Sequence, residues 1–99
     1  MITHIVCWRV KETESASKEE NIQRLKEVLE VLPSKIEEIS TLEIGINYNT
    51  SDAAYDVCLN SVFETKEDLE KYQIHPDHIK AANFVKSVAT DRVVVDYES

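Results

Sequence analysis

The opening strand constrains this chain more than any other segment. Ile2, His4, Val6, Trp8 and Val10 share one parity, and Ile5 and Cys7 fall on the other. In an extended chain successive side chains point to opposite faces, so both faces of this strand carry apolar groups. Such a strand needs cover on both sides. The fold must therefore supply a layer on each face of the sheet that holds it.

The rest of the chain supplies one such layer. Ser17 followed by Glu20 reads as a capping box, and Ile22, Leu25, Val28, Leu29 and Leu32 recur at helical spacing behind it. Pro33 ends that helix, because the residue before proline is pushed out of the helical region. Ile36 and Ile39 belong to a short packed turn. Alternation predicts a second strand over Thr41–Tyr48 and a third over Tyr55–Glu64, joined by the polar loop Asn49–Ala54 as an antiparallel pair.

A second helix opens at Thr65, with Asp68 in the capping-box position and Leu69 and Tyr72 on its inner stripe. His75-Pro76 then breaks the chain. Proline suits the first turn of a new helix with the preceding residue as its cap. This predicts a third helix from Pro76 to about Lys86, with Ile79, Ala82 and Val85 inward. Arg92–Glu98 forms the last strand.

The order is β-α-β-β-α-β over a single domain, residues 1–99, which is the ferredoxin-like α+β arrangement with a four-stranded antiparallel sheet. Right-handed crossovers put both main helices on the same face of the sheet. The other face inherits Ile5, Cys7, Val94 or their neighbours. That patch is larger than monomers usually expose, and a second copy packed sheet to sheet is the simplest cover.

Charge and composition then exclude partners. The chain carries 19 acidic and 11 basic residues, a formal net charge of −8. It has no basic block, so neither nucleic acid nor an anionic membrane is an expected partner. Gly45 is the only glycine, which rules out a phosphate-cradling loop or a dinucleotide fingerprint. The first ten residues hold no signal-peptide core, and no stretch is long enough to span a bilayer, so a cytoplasmic location is expected. In such a compartment Cys7 and Cys58 read as buried free thiols.

The one dense polar cluster is Tyr72-Gln73-Ile74-His75-Pro76-Asp77-His78. In one unbroken helix Tyr72 and His78 would stand about 120° apart around the axis. A new helix starting at Pro76 can swing His78 back towards Tyr72. His75 reads as the cap of that helix. His75 and His78 are three apart with Asp77 between them, but the cap commits His75 and no third ligand is placed, so no metal is expected. On a helix Asp77 points away from His78 and is not its orienting partner.

The chain resembles the stress-responsive A/B barrel domain family, within the dimeric α+β barrel proteins. The likeness rests on Met1-Ile2-Thr3-His4-Ile5-Val6, on Tyr72-x-x-His75-Pro76-x-His78 and on Arg92-Val93-Val94-Val95-Asp96-Tyr97. The resemblance implies a homodimer and a cavity on the helix side of each sheet, lined by His4; strand parity puts Val6 and Trp8 on that same side, Trp8 as a departure from the cyclase pattern. The resemblance names no reaction for most members. A few look like cofactor-free polyketide cyclases that perform an intramolecular aldol condensation. Carried over, their working groups are His78 as base and Tyr72 as donor, with no cofactor.

Two functions are therefore carried forward. One is a homodimer of unassigned role that binds a small organic molecule between sheet and helices. The other is a cofactor-independent aldol-type cyclase, lyase or isomerase using His78 and Tyr72. Each residue also has a plain structural role: Tyr72 as core, His4 as a hydrogen-bonded core group, His75 and Pro76 as a helix start. Trp8 is bulky, and its place on the His4 face is expected to shrink or flatten the cavity.

Overall fold

A computed structural model describes residues 1–99. The elements are β1 (Ile2–Val10), α1 (Lys18–Glu30), a 3-10 turn (Leu32–Ser34), β2 (Thr41–Ile46), β3 (Val57–Phe63), α2 (Lys66–Ile74), α3 (Pro76–Val88) and β4 (Ala89–Glu98). The strands form one antiparallel sheet in the order β2-β3-β1-β4. This is the ferredoxin-like topology expected from the element order. No helix is long and apolar enough to cross a membrane.

The local signals act as their chemistry predicts. Ser17 Oγ accepts from the Glu20 amide at 3.1 Å, and Glu20 Oε1 accepts from the Ser17 amide at 3.1 Å, so the box at α1 is closed in both directions. At α2 the Thr65 hydroxyl accepts from the Asp68 amide, which is half of such a box.

The boundaries moved where local hydrogen bonds outcompete the strand ladder. β2 stops at Ile46 instead of Tyr48, because Asn47 and Asn49 each accept a backbone amide two residues on and turn the chain. Tyr48 is left 97% exposed. β3 accordingly starts at Val57, not Tyr55. α3 runs two residues past Lys86 to Val88, and β4 starts at Ala89, not Arg92.

The buried stripe of α3 is also corrected. It is Ala81, Val85 and Val88, not Ile79, Ala82 and Val85. A strict three-residue repeat slips around a helix of 3.6 residues per turn, whereas alternating steps of four and three stay on one face. Ile79 therefore turns to solvent, and Ala82 is half-buried.

One face of the sheet holds the core. Ile2, Val6, Trp8 and Val10 of β1 join Ile44, Val57, Leu59 and Phe63 and pack against Ile22, Leu25, Leu29, Leu69, Tyr72 and Val85. The register sets the other face: Ile5 opposite Val95, Cys7 opposite both Val93 and Cys58. Val94 does not belong there. It pairs with Val6 on the helix side, and its neighbours Val93 and Val95 face outward. Val93, Val95 and Tyr97 are about half exposed on that open face. Cys7 and Cys58 are half-buried free thiols directly opposite one another.

Candidate functional site

The break at Pro76 builds the site. α2 ends on His75, whose backbone is extended (φ −64°, ψ 135°), and α3 starts on the next residue. His75 Nδ1 accepts the Asp77 amide at 3.1 Å. That is the cap its sequence position predicts, and it consumes the lone pair a metal would need. The change of direction brings His78 back over Tyr72, with ring centroids 4.3 Å apart. Tyr72 in turn packs at 5.1 Å from Phe63 and edge-on at 6.3 Å from His4.

These three polar side chains converge on a pocket of about 390 Å³ between the sheet and α2–α3. Val6, Trp8, Leu59 and Val85 form its apolar wall, and Gln73, Lys86 and Arg92 its polar edge. Trp8 shares the face of His4 and Val6 as the alternation requires. It lines the pocket without filling it, so the expected loss of cavity is smaller than its volume alone implies.

Hydrogen bonds orient the two pocket histidines differently. The ring nitrogen Nδ1 of His78 lies 3.0 Å from the Gln73 carbonyl oxygen. A carbonyl only accepts, so this nitrogen donates, and in the neutral ring Nε2 keeps a free lone pair. Burial holds the His78 pKa below its ordinary 6.5. The Gln73 carbonyl opposes that shift, while His4, Arg92 and His75 add to it. A histidine set this way is neutral and able to accept a proton at neutral pH.

Tyr72 is 1% exposed, and burial pushes its hydroxyl up to about 12, against a weaker pull from Arg92. It therefore stays protonated and can donate. His4 is 3% exposed, and its Nδ1 meets Asp96 Oδ1 across the β1–β4 pair. A carboxylate at that nitrogen holds the ring's orientation.

Asp96, Arg92, Lys86 and Gln73 were not singled out as site residues from the sequence. The signal for the first two was present but incomplete. Arg92, Val94 and Asp96 share a parity, yet only the β1–β4 register places Arg92 opposite Trp8 and Asp96 opposite His4. The Gln73 carbonyl is a backbone group with no sequence signature.

A wider hollow of about 520 Å³ lies against the uncovered face under the β2–β3 loop, with both cysteines in its wall. It is less suited to acid–base chemistry. Burial, then the adjacent Cys7, push the Cys58 thiol up to about 11, far from a reactive thiolate at neutral pH. No group of three His, Cys, Asp or Glu side chains is gathered to hold a metal ion.

Fold and site together define a ferredoxin-like α+β domain with a histidine- and tyrosine-lined pocket on its helix side. Residues 2–99 match the family model described as the stress responsive A/B barrel domain, and the chain belongs to that family. A stress-response A/B barrel domain-containing protein of Arabidopsis thaliana is 35% identical over 48 residues, 48% of this chain and 23% of that protein. The match thus spans about a quarter of that relative's length. An uncharacterised protein of Streptomyces coelicolor is 28% identical over 98 residues, covering 99% of both chains.

Two solved structures frame the fold. A dimeric protein of unknown function from Bacteroides fragilis superposes with a TM-score of 0.83 at 31% identity, covering 99% of this chain and 95% of that one. A hydroxynitrile lyase from Passiflora edulis superposes with a TM-score of 0.81 at 17% identity, covering 97% and 90%. The second likeness is one of fold alone.

Proposed function

We propose that this protein works as a homodimer. In this reading each subunit binds a small organic molecule in the pocket between sheet and helices, and acts on it without a cofactor. His78 is the base and Tyr72 the hydrogen-bond donor for an aldol, lyase or isomerase step. The observation that carries the reading is the convergence of a neutral, oriented histidine and a protonated, buried tyrosine on one apolar-walled cavity.

The chemistry balances with those two groups. His78 Nε2 takes a proton from the carbon beside a carbonyl. The electron pair moves onto the carbonyl oxygen, and the Tyr72 hydroxyl donates to the enolate so formed. The enolate carbon then attacks a second carbonyl, or is reprotonated by the His78 imidazolium. The first outcome joins carbon to carbon, and the new alkoxide takes the proton back from the imidazolium; the second returns the proton to carbon and inverts that centre when it arrives on the opposite face. That a hydroxynitrile lyase uses the same fold supports the idea that this scaffold can host lyase chemistry; its substrate is not carried over.

The pairing reading rests on the open sheet face. Val93, Val95 and Tyr97 are apolar or aromatic and half exposed together. Gly45 lies on the same face opposite Cys58, and a Cβ there would meet nothing within 4 Å in the subunit. A strand glycine with no internal reason fits close approach of another backbone. The dimeric Bacteroides fragilis relative supports the same arrangement.

The test needs no known substrate. Small aryl and alkyl ketones are incubated with the protein in D2O, and deuterium uptake beside the carbonyl is followed by NMR. The native protein should exceed buffer for at least one ketone. His78→Ala should return uptake to the buffer rate, and Tyr72→Phe should slow it by roughly 10²–10³-fold. Equal uptake in the His78→Ala protein rejects the base assignment. Buffer-level uptake in the native protein across the panel rejects catalysis and leaves binding alone.

A further inference from the structure

The pocket's charge is opposite to that of the chain. The protein carries 19 acidic and 11 basic residues, yet no Asp or Glu lines this cavity, whereas Lys86 and Arg92 both do. The two cations come from different elements. Lys86 sits in the last turn of α3, and Arg92 on β4 opposite Trp8. Neither takes part in any of the chain's four ion pairs, and neither is held by a side-chain hydrogen bond. Two carboxylates of β4 lie close by: Asp96, which is taken up by the His4 ring, and Asp91, which edges an adjoining smaller hollow and accepts from the Thr90 hydroxyl.

We infer that the pocket selects an organic anion, a molecule with a small apolar body and one carboxylate. The body lies against Val6, Trp8 and Val85, and the carboxylate is held at the mouth between Arg92 and Lys86. This deepens the function proposed above and rests on the same pocket being a ligand site.

Three physical points carry the inference. First, a guanidinium presents a planar fork that matches a carboxylate in two parallel hydrogen bonds, and an unpaired one has that fork free. Second, a cavity with low-dielectric walls concentrates the field of two like charges, so an anion gains more there than at an open surface. Third, the arrangement discriminates by location. With the carboxylate at Arg92, the rest of the molecule must run inward, past Trp8, towards His78 and Tyr72. Arg92 is also close enough to act on both of those groups. It therefore serves in this inference as a binding and specificity residue beside the reacting end.

Trp8 is the only tryptophan, so the pocket has a single-signal reporter in its indole N–H. The experiment is a titration of the ¹⁵N-labelled full chain with matched pairs: cyclohexanecarboxylate and its amide, and 3-phenylpropionate and its amide. The carboxylate of at least one pair should shift the indole resonance with an affinity about ten-fold or more above its amide. Arg92→Gln should erase that preference, Arg92→Lys should restore part of it, and Lys86→Gln should reduce it. Both positions are exposed to solvent, so the fold should persist, and the amide spectrum checks it.

Amides that bind as tightly as the carboxylates overturn anion selection while leaving the pocket a ligand site. A preference that survives in the Arg92→Gln, Lys86→Gln double variant places the anion elsewhere and also overturns the inference. If neither member of either pair moves the indole signal at about 10 mM, both the anion inference and the ligand reading of this pocket fail. The ketone exchange assay reports on catalysis independently of all three outcomes.

Discussion

The two faces of the sheet are built from the same strands and are treated in opposite ways. On the helix side, Phe63, Leu25, Val6 and Leu59 are buried almost completely, and even polar His4 and Ser61 are enclosed. On the other side Val93, Val95 and Tyr97 stand about half exposed, beside half-buried Ile5, Cys7 and Cys58. The contrast separates two jobs. The helix-covered face holds the subunit together and shapes the pocket. The open face contributes little to the fold of one chain and is free to be covered from outside. β4 shows the difference within a single strand: Val94 points to the helix side but remains exposed, because β4 is the sheet edge and the helices do not reach over it.

The sharpest way to break this comparison is to cut into each face in turn. Phe63→Ala empties a site packed against Tyr72 and should lower unfolding stability by about 3–5 kcal/mol, read by urea denaturation. A loss of under about 1 kcal/mol would show that the helix-side core is not packed as described. On catalysis, His78→Ala should reduce ketone exchange by roughly 10²–10⁴-fold with little change in melting temperature. Loss of stability comparable to that of Phe63→Ala would make His78 a core residue instead.

Val95→Asp probes the open face. The variant should remain folded by circular dichroism, while its mass by light scattering falls from that of a dimer to 11.4 kDa. A native protein that already measures 11.4 kDa removes the case for pairing.

The smallest effects concern pH. His78 has its folded pKa below 6.5 because burial opposes the charged ring. The unfolded chain then binds the proton more tightly. The stability contribution is full above pH 6.5 and is lost as the pH falls from there towards the folded value. His78→Gln should flatten that part of the stability–pH curve relative to the native protein. The same depressed pKa places the acid limb of ketone exchange below pH 6.5, whereas Tyr72, raised to about 12, sets no basic limb near neutrality. An acid limb above pH 6.5 would point to a different base.

Parts of both the covered face and the site were legible in the residues. Parity along β1 placed His4, Val6 and Trp8 together, and the His75-Pro76 break predicted the return of His78 over Tyr72. Both inferences depend on neighbours within a few residues. Whether Val94 or its neighbours face outward stayed open, because the parity of β4 is meaningful only once its register against β1 is known. Predicting Ile79 and Ala82 as the stripe of α3 failed because two nearby repeats fit the same apolar residues, and packing against α1 and the sheet chooses between them.

What the sequence determined alone are the short-range features, the Ser17–Glu20 box, the His75 cap and the order of strands and helices. Each depends on a hydrogen bond or a steric clash between residues close in the chain, so the residues themselves suffice. The stop expected at Pro33 instead falls at Glu30, and Pro33 sits inside the 3-10 turn Leu32–Ser34. What only the tertiary structure decided are the meetings across distance: His4 with Asp96, 92 residues apart, Arg92 beside Trp8, and Lys86 at the same pocket mouth. Those contacts follow from strand register and helix packing. Register depends on every pair in the ladder at once, and no single residue carries it.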